Sequence, residues 1–341
     1  MSAPLVDVTG RGAVLLGPDL TCDGFHRGYP VRVQTHVHGD HMEGFDTSKG
    51  EQYIYCTPPT RALLIADQDA DLPYRTNLIE TEYGTWVEQG DTRFMLVENG
   101  HMLGAAQVVA ELKAGYRVGY SSDFAGEVAN PIKVDTLVVD ATCGEPALVR
   151  KYSQELAEQL LLETCAKSLT HSPVFIRAAR GTLQRAMVVL AGNLSYPILG
   201  SERLMREIDV YRASGQPISD IVAHDSDLGR ELAEGGRYIR VFGSRDRLPV
   251  DTSTVTMIAL NAYVPSYQPL VEHSDHSYTI ALTNHADFDE TMAYIQSTGA
   301  TKVITDCTRS HHAQKLAAEI RNRLGIEAHA STSEKPLGWG T

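Results

Sequence analysis

The chain has 341 residues, room for one large domain or two. With 43% hydrophobic and 21% charged residues it reads as globular, which excludes a mainly disordered chain. The net charge of −13 argues against a protein that coats nucleic acid with a basic surface. No apolar run approaches the roughly 20 residues of a membrane helix. The opening MSAPLVDVTGRG lacks a basic-then-apolar signal pattern, so a cytoplasmic location without a membrane partner is expected. Cys22, Cys56, Cys143, Cys165 and Cys307 are odd in number, scattered and free of any CxxC, which does not suit a disulfide framework. Charge is uneven along the chain. Residues 146–275 carry 14 Lys and Arg against 15 Asp and Glu, whereas the flanks carry 16 against 28. The near-neutral, arginine-rich middle is therefore the better holder of a polyanion.

In chain order, VRVQT (31–35), QYIYC (52–56), RFMLVE (93–98), QVVAELK (107–113), YRVGY (116–120) and TLVVD (136–140) predict strands. PPTRALLIADQ (58–68) predicts the first helix, with Pro59 tolerated in its opening turn. From about residue 152 the texture turns helix-rich: KYSQELAEQLLLETCAKSL, then PVFI as a strand, GTLQRAMVVLAG as a helix, YPIL as a strand and SERLMREIDVYRA as a helix. TVTMIAL (254–260) and SYTIALT predict strands. ADFDETMAYIQSTG (a helix), TKVIT (a strand) and SHHAQKLAAEIRNRLG (a helix) follow, the last with Ser310 as N-cap and Gly325 as its stop. The pattern is that of an α/β protein.

The motif T-H-V-H-G-D-H at 35–41 carries the chemistry. Alternation puts His36 and His38 on one side of extended chain, and Asp40 and His41 follow in a tight loop. Three imidazoles and a carboxylate in six residues suit a pair of divalent metals, since neutral imidazole nitrogen and carboxylate oxygen bind zinc at about 2.0–2.2 Å. A chance His-rich surface loop is the bland alternative.

This H-x-H-x-D-H resembles the signature of the metallo-β-lactamase superfamily. Behind it, His101 in N-G-H-M-L-G-A resembles the superfamily's third motif, and Asp123 in G-Y-S-S-D-F its fourth, the carboxylate that bridges two metals. Asp140 in V-V-D-A-T is similar to motif A of the β-CASP nucleases, the group that includes ribonuclease J, Artemis and the cleavage and polyadenylation nuclease. R-G-T-L-Q-R-A-M-V-V-L (180–190) is similar to a helix of the β-CASP insert, and His285 in L-T-N-H-A-D-F to motif B. The resemblance runs from about residue 10 to 325. It implies a metallo-β-lactamase αββα sandwich with an inserted β-CASP α/β domain: residues 1–145 and 276–341 for the sandwich, 146–275 for the insert. The compact form, without an appended domain, resembles bacterial and archaeal exonucleases, including those associated with DNA ligase.

By the same resemblance, one zinc takes His36, His38, His101 and Asp123, and a second takes Asp40, His41 and Asp123, with manganese as an alternative ion. Asp40 also orients the attacking water. His285 protonates the leaving oxygen, and Asp140 holds its imidazole. The expected activity is zinc-dependent hydrolysis of phosphodiester bonds in DNA or RNA, as an exonuclease or end-processing enzyme on a nucleic-acid strand, single-stranded by preference. Alternatives are a small-substrate phosphodiesterase, a non-catalytic β-CASP scaffold subunit and a hydrolase of thioesters or lactones. The intact early motifs argue against the scaffold; Asp140, His285 and the insert argue against the last.

One position departs from the family. Where the ribonucleases carry a metal-binding histidine (motif C) after the strand T-K-V-I-T and the DNA-acting branch carries valine, alignment puts Cys307. A thiolate there would bind zinc; a neutral thiol would pack as valine does, the reading favoured here. Arg180, Gly181 and Thr182 open a helix whose free N–H groups would suit a phosphate, although ordinary capping is the commoner use of Thr182. His273-Ser-Asp-His276 looks like a metal pair but falls at a loop-to-strand position, where ligation is not expected. Ser121 and Ser122 are either supporting donors or turn residues.

Overall fold

Apolar runs in the first 140 residues alternate too tightly with turns for helices, and they build sheets. The computed structural model describes residues 6–67 and 71–331, so Gln68, at the end of the first predicted helix, lies outside the described residues. The chain divides into two compact units: residues up to Val149 together with those from His285 onward, and Arg150–Asn284.

In chain order the first unit begins with β1–β6 (Val6–Val8, Val14–Leu16, Leu20–Cys22, Val31–Val33, Tyr53–Cys56 and Leu78–Glu80), which form a six-stranded sheet in that order. Helices α1 (Phe45–Glu51) and α2 (Pro58–Asp67) lie between β4, β5 and β6 in sequence. β7–β11 follow (Trp86–Gln89, Thr92–Glu98, Ala106–Glu111, Arg117–Tyr120 and Thr136–Val139). The second unit contributes α3 (Gln154–Ser168), β12 (Val174–Arg177), α4 (Thr182–Ala191), β13 (Ile198–Gly200), α5 (Glu202–Ala213), β14 (Val222–Ala223), α6 (Asp227–Glu234), β15 (Ile239–Phe242), β16 (Thr256–Leu260), β17 (Leu270–Ser274) and β18 (Ser277–Ile280). The chain then returns to the first unit with α7 (Phe288–Thr298), β19 (Lys302–Thr305), α8 (Ala313–Leu324) and β20 (Glu327–Ala330).

The second sheet of the first unit has the order β20-β19-β11-β10-β9-β8-β7. Its central strands β9, β10, β11 and β19 are mostly buried, and alternation sorts the side chains of the sheet. Phe94, Leu96, Val138 and Ile304 join Val14, Leu16, Val31 and Val33 in a core shared with the first sheet. Their neighbours Leu137, Val139 and Val303 face the other way, against Phe288 and Ile295 of α7 and Leu316 and Ile320 of α8. The first unit thus stacks sheet on sheet, with two helices outside the second sheet.

The sheet of the second unit has the order β14-β13-β15-β12-β16-β18-β17, parallel throughout except for the edge pair β17–β18. Its existence corrects the expected texture of that region, where β14, β15 and β17 were not foreseen. It also moves the division of the chain to 149/150 and 284/285, because β18 pairs with β16 and so belongs to the middle unit rather than to a segment 276–341. Two further expectations are corrected locally. α1 precedes the first predicted helix. α8 starts from His312 rather than Ser310, whose hydroxyl donates to the Ala141 carbonyl at 2.7 Å and accepts from the His312 amide at 3.1 Å in the turn before the helix. Gly325 ends α8 in the left-handed conformation its lack of a Cβ allows.

Candidate metal centre

The site is assembled from loops at the carboxyl ends of strands. Asp23 follows β3, the His36–His41 segment follows β4, His101 follows β8, Asp123 follows β10 and Asp140 follows β11. Since β8, β10 and β11 run in one direction within their sheet, the loops after them share an edge.

Four ligand-type atoms converge there. His101 Nε2 lies 3.2 Å from His38 Nδ1. Asp123 Oδ2 lies 3.6 Å from His36 Nε2, 3.6 Å from His101 Nε2 and 4.0 Å from His38 Nδ1. Tetrahedral zinc with bonds of about 2.0–2.1 Å separates its ligand atoms by about 3.3 Å, so a small inward adjustment closes this set on one ion. Asp123 Oδ1 turns to the other side, 3.3 Å from His41 Nε2, with Asp40 Oδ2 at 3.7 Å from the same nitrogen. Asp123 therefore faces both groups. His36, His41, His101 and Asp123 are buried, whereas the Asp40 side chain is 61% exposed, which suits a group that meets solvent or substrate.

The protonation chemistry fits cations. The Thr35 hydroxyl spends its hydrogen on Asp23 Oδ2, so His36 Nδ1, 3.0 Å away, donates to it and leaves the Nε2 lone pair inward; the Ser122 hydroxyl lies 3.3 Å from the same Nδ1. That Nε2, like His41 Nε2, is buried without a hydrogen-bond partner among the described residues. Burial, together with His41 and His38, holds His36 well below its ordinary pKa, in the neutral form a metal requires. At His41 burial disfavours charge, but Asp123, Asp40 and Asp23 outweigh it and push the imidazole to about 10. A buried nitrogen between two carboxylates demands a positive partner, a proton or a metal. The residues fit a metal.

The second geometric group of metal-binding type joins Asp23 to His36 and His41, and Asp23 was missed by sequence reasoning. Its role follows from its contacts. Asp23 Oδ2 accepts from His41 Nδ1 at 2.8 Å and from the Thr35 hydroxyl at 2.5 Å, and Oδ1 accepts from the Thr35 amide at 2.8 Å. It orients His41 so that Nε2 points at Asp123, the arrangement by which carboxylates fix metal-bound histidines. Asp23 and Ser122 both hold φ near 54°, a left-handed conformation uncommon outside glycine. Below the loop, the fully buried Arg32 donates to the His41 carbonyl at 2.9 Å, the Glu43 carbonyl at 3.0 Å and Ser48 Oγ at 3.0 Å. Gln34 Nε2 donates to the carbonyls of His36 and His41. The only sequence signal for Asp23 is an Asp-Gly pair after a short apolar run.

Beside the cluster, the His285 ring stands 4.7 Å from that of His101, and its Nδ1 is 3.9 Å from Asp140 Oδ2, an ion-pair distance. Burial lowers the His285 pKa, but Asp140 and Asp123 prevail and raise it above the ordinary value. Asp140 is itself fixed: Oδ1 accepts from the Thr142 amide and hydroxyl, and the Asp140 amide donates to Ser121 Oγ.

The remaining candidates fall elsewhere. Cys307 packs against the helix-facing core and donates its thiol to the Ser331 carbonyl at 3.0 Å; it is in neither metal-type group among the described residues. Arg180 does not present its charge to a ligand. Its guanidinium is bound by both oxygens of buried Glu207, at 3.1 and 2.7 Å. The Gly181 amide is capped by Gln184 Oε1 at 2.6 Å, and Thr182 is the first residue of α4. A phosphate at this helix start is thereby corrected to internal capping. His273 Nε2 meets the Thr279 hydroxyl.

No family model matches the chain. An uncharacterized protein in the lig 3′ region of Acidianus ambivalens is 34% identical over 131 residues, 38% of this chain and 93% of that protein. The chain belongs to the same family as this archaeal protein. A crystal structure of a protein of unknown function from Enterococcus faecalis V583 is similar in fold, with a TM-score of 0.54 at 12% identity, over 81% of this chain and 74% of that one.

Proposed function

We propose that this chain is a metal-dependent phosphodiesterase that cleaves nucleic acid, on a metallo-β-lactamase sandwich carrying a β-CASP insert. The observation that carries the reading is the convergence of His36 Nε2, His38 Nδ1 and His101 Nε2 within 4.0 Å of Asp123 Oδ2, with the His285–Asp140 pair against the same cluster. The stacked sheets of the first unit and the placement of Asp23, the His36–His41 segment, His101, Asp123 and Asp140 after the carboxyl ends of strands support it.

His36, His38, His101 and Asp123 would hold one ion, and Asp40, His41 and Asp123 a second. A bound divalent cation supplies Lewis acidity, polarising a phosphoryl oxygen and making water acidic enough to attack phosphorus near neutral pH. The protein's own groups do the rest. Asp40, exposed at the rim, accepts a hydrogen bond from the attacking water and aligns it. A P–O bond forms to that water and the P–O bond to the departing alkoxide breaks. His285, whose pKa Asp140 and Asp123 raise, gives a proton to the leaving oxygen, and Asp140 orients its ring. With Cys307 held by Ser331, only Asp40, His41 and Asp123 would hold a second ion, and more weakly than four residues would hold the first.

The test is incubation of purified protein with end-labelled single-stranded DNA and RNA, with 5′-phosphate or 5′-hydroxyl, in zinc or manganese. Shortened products from wild type and none from Asp123→Ala are expected. Turnover of bis(p-nitrophenyl) phosphate without any cleavage of either polymer would favour instead a small-substrate phosphodiesterase, the reading that the net charge of −13 favours.

A further inference from the structure

The parallel sheet of the second unit contains a point where the chain reverses its direction of winding. From β13 the connection through α5 leads outward to β14, whereas from β15 it leads the opposite way, past β12, to β16. Neighbouring strands whose connections leave in opposite directions open a crevice at their carboxyl ends, the usual ligand position in open α/β sheets. A cavity of about 240 Å³ lies there, lined by Ser201 after β13, His224 after β14, Arg240 and Phe242 at the end of β15, and Asp246 and Arg247 beyond it.

The charges lining it are unequally satisfied. Asp246 is fully engaged: Oδ2 accepts from the Gly243 amide at 2.8 Å, and Oδ1 accepts from Ser201 Oγ and Arg203 Nη2, each at 3.2 Å. Its negative charge is thus offset by Arg203. The side chains of Arg240 and Arg247, by contrast, make no hydrogen bond and no ion pair among the described residues, Asp246 and Asp225 acting on Arg240 only at longer range. The Arg240 guanidinium lies over the ring of Phe242, 4.9 Å from its centroid, which holds it in place while leaving its N–H groups undirected. His224 spends Nδ1–H on the Gly200 carbonyl at 3.0 Å. Ser201 is the N-cap of α5, whose positive dipole end adds to the two guanidinium groups.

We propose that this crevice binds a small phosphomonoester, with Arg240 and Arg247 on the phosphate. The volume falls below the roughly 300–1,000 Å³ of drug-sized sites, which leaves room for a phosphate and a substituent of about sugar size. Planar, forked guanidinium donors match phosphate oxygens in pairs. The site is separate from the proposed metal centre, since all its residues belong to the second unit, and it stands whether or not the chain cleaves nucleic acid.

The experiment is calorimetric titration of the full metal-loaded chain with inorganic phosphate, with a nucleoside 5′-monophosphate, and with oligonucleotides bearing a 5′-phosphate or a 5′-hydroxyl. Asp123→Asn separates this site from phosphate held at the metal centre. Binding should persist in Asp123→Asn and weaken roughly 10- to 100-fold in Arg247→Gln. Because Arg247 is exposed, that variant folds normally even if Arg240→Gln, which loses its packing on Phe242, does not. Arginine-dependent binding of the mononucleotide identifies a free phosphomonoester as the ligand. Arginine dependence confined to the 5′-phosphorylated oligonucleotide identifies a strand terminus. No binding at millimolar ligand, equal binding by Arg247→Gln, or binding abolished by Asp123→Asn alone would each overturn the proposal.

Discussion

Asp23 shows how much of the centre depends on a side chain that meets no substrate. It is the carboxylate on the far side of His41, and its charge is what keeps that ring pointing at Asp123. Asp23→Asn keeps the shape but can present an N–H to Nδ1, so the ring turns or changes tautomer. A 10- to 100-fold loss in affinity for the more weakly held ion is expected, read by metal titration, with the first ion unaffected; equal affinity at both sites would remove the orienting role. His285 makes a different prediction. His285→Ala should lower turnover by roughly 10² to 10⁴ while zinc content stays at the wild-type value, and loss of zinc would make this residue a ligand instead. The H-x-H-x-D-H cluster was legible because its ligands are adjacent in sequence. Asp23 was not, because a single aspartate before glycine looks like any turn, and only its positive φ and its burial distinguish it.

At the scale of elements, the loop carrying His101 is held against the start of α2. The hydroxyls of Thr57 and Thr60 both donate to the Gly104 carbonyl, at 2.7 and 2.8 Å. Gly104 has φ of +82°, and a Cβ there would stand 2.6 Å from Thr60 N and Oγ1. Gly104→Ala must therefore strain the turn or push the loop off α2. A loss of about 1–3 kcal/mol is expected, measured as a lower urea midpoint, together with weaker zinc binding because His101 moves with the loop. Unchanged stability and zinc affinity would mean that this contact positions nothing. Strands with long apolar runs, such as β8, were plain in the sequence. β14 was not, having two residues, nor was β15, whose Arg240 interrupts the apolar pattern. α1 escaped notice because only Phe45 and Ser48 are buried and Gly50 sits near its end. Arg180 misled for an electrostatic reason: its partner Glu207 lies 27 residues away on α5, beyond any local pattern.

At the scale of the molecule, the candidate metal residues all belong to one unit, and the second unit has a sheet and apolar interior of its own. Ligand binding stabilises only what it binds, by about 2.7 kcal/mol at a free concentration one hundred times Kd. Scanning calorimetry should therefore show zinc raising one transition and leaving another in place; a single transition indifferent to zinc would contradict this division of labour. The first unit is also discontinuous. Strand β11 lies parallel to β19, with Thr136 opposite Lys302, and the whole second unit falls between them in sequence. During synthesis the residues from Asp23 to Asp123 leave the ribosome long before His285, β19 and the helices that cover the second sheet. A nascent chain can thus gather His36, His38, His101 and Asp123 while His285 is still untranslated and the β19 side of β11 has no neighbour. That edge, and the apolar face awaiting α7 and α8, are where a chaperone would be needed. On the proposed function, competence would arrive last, with the final strands, because a half-made chain would have the cluster of the first loops without His285.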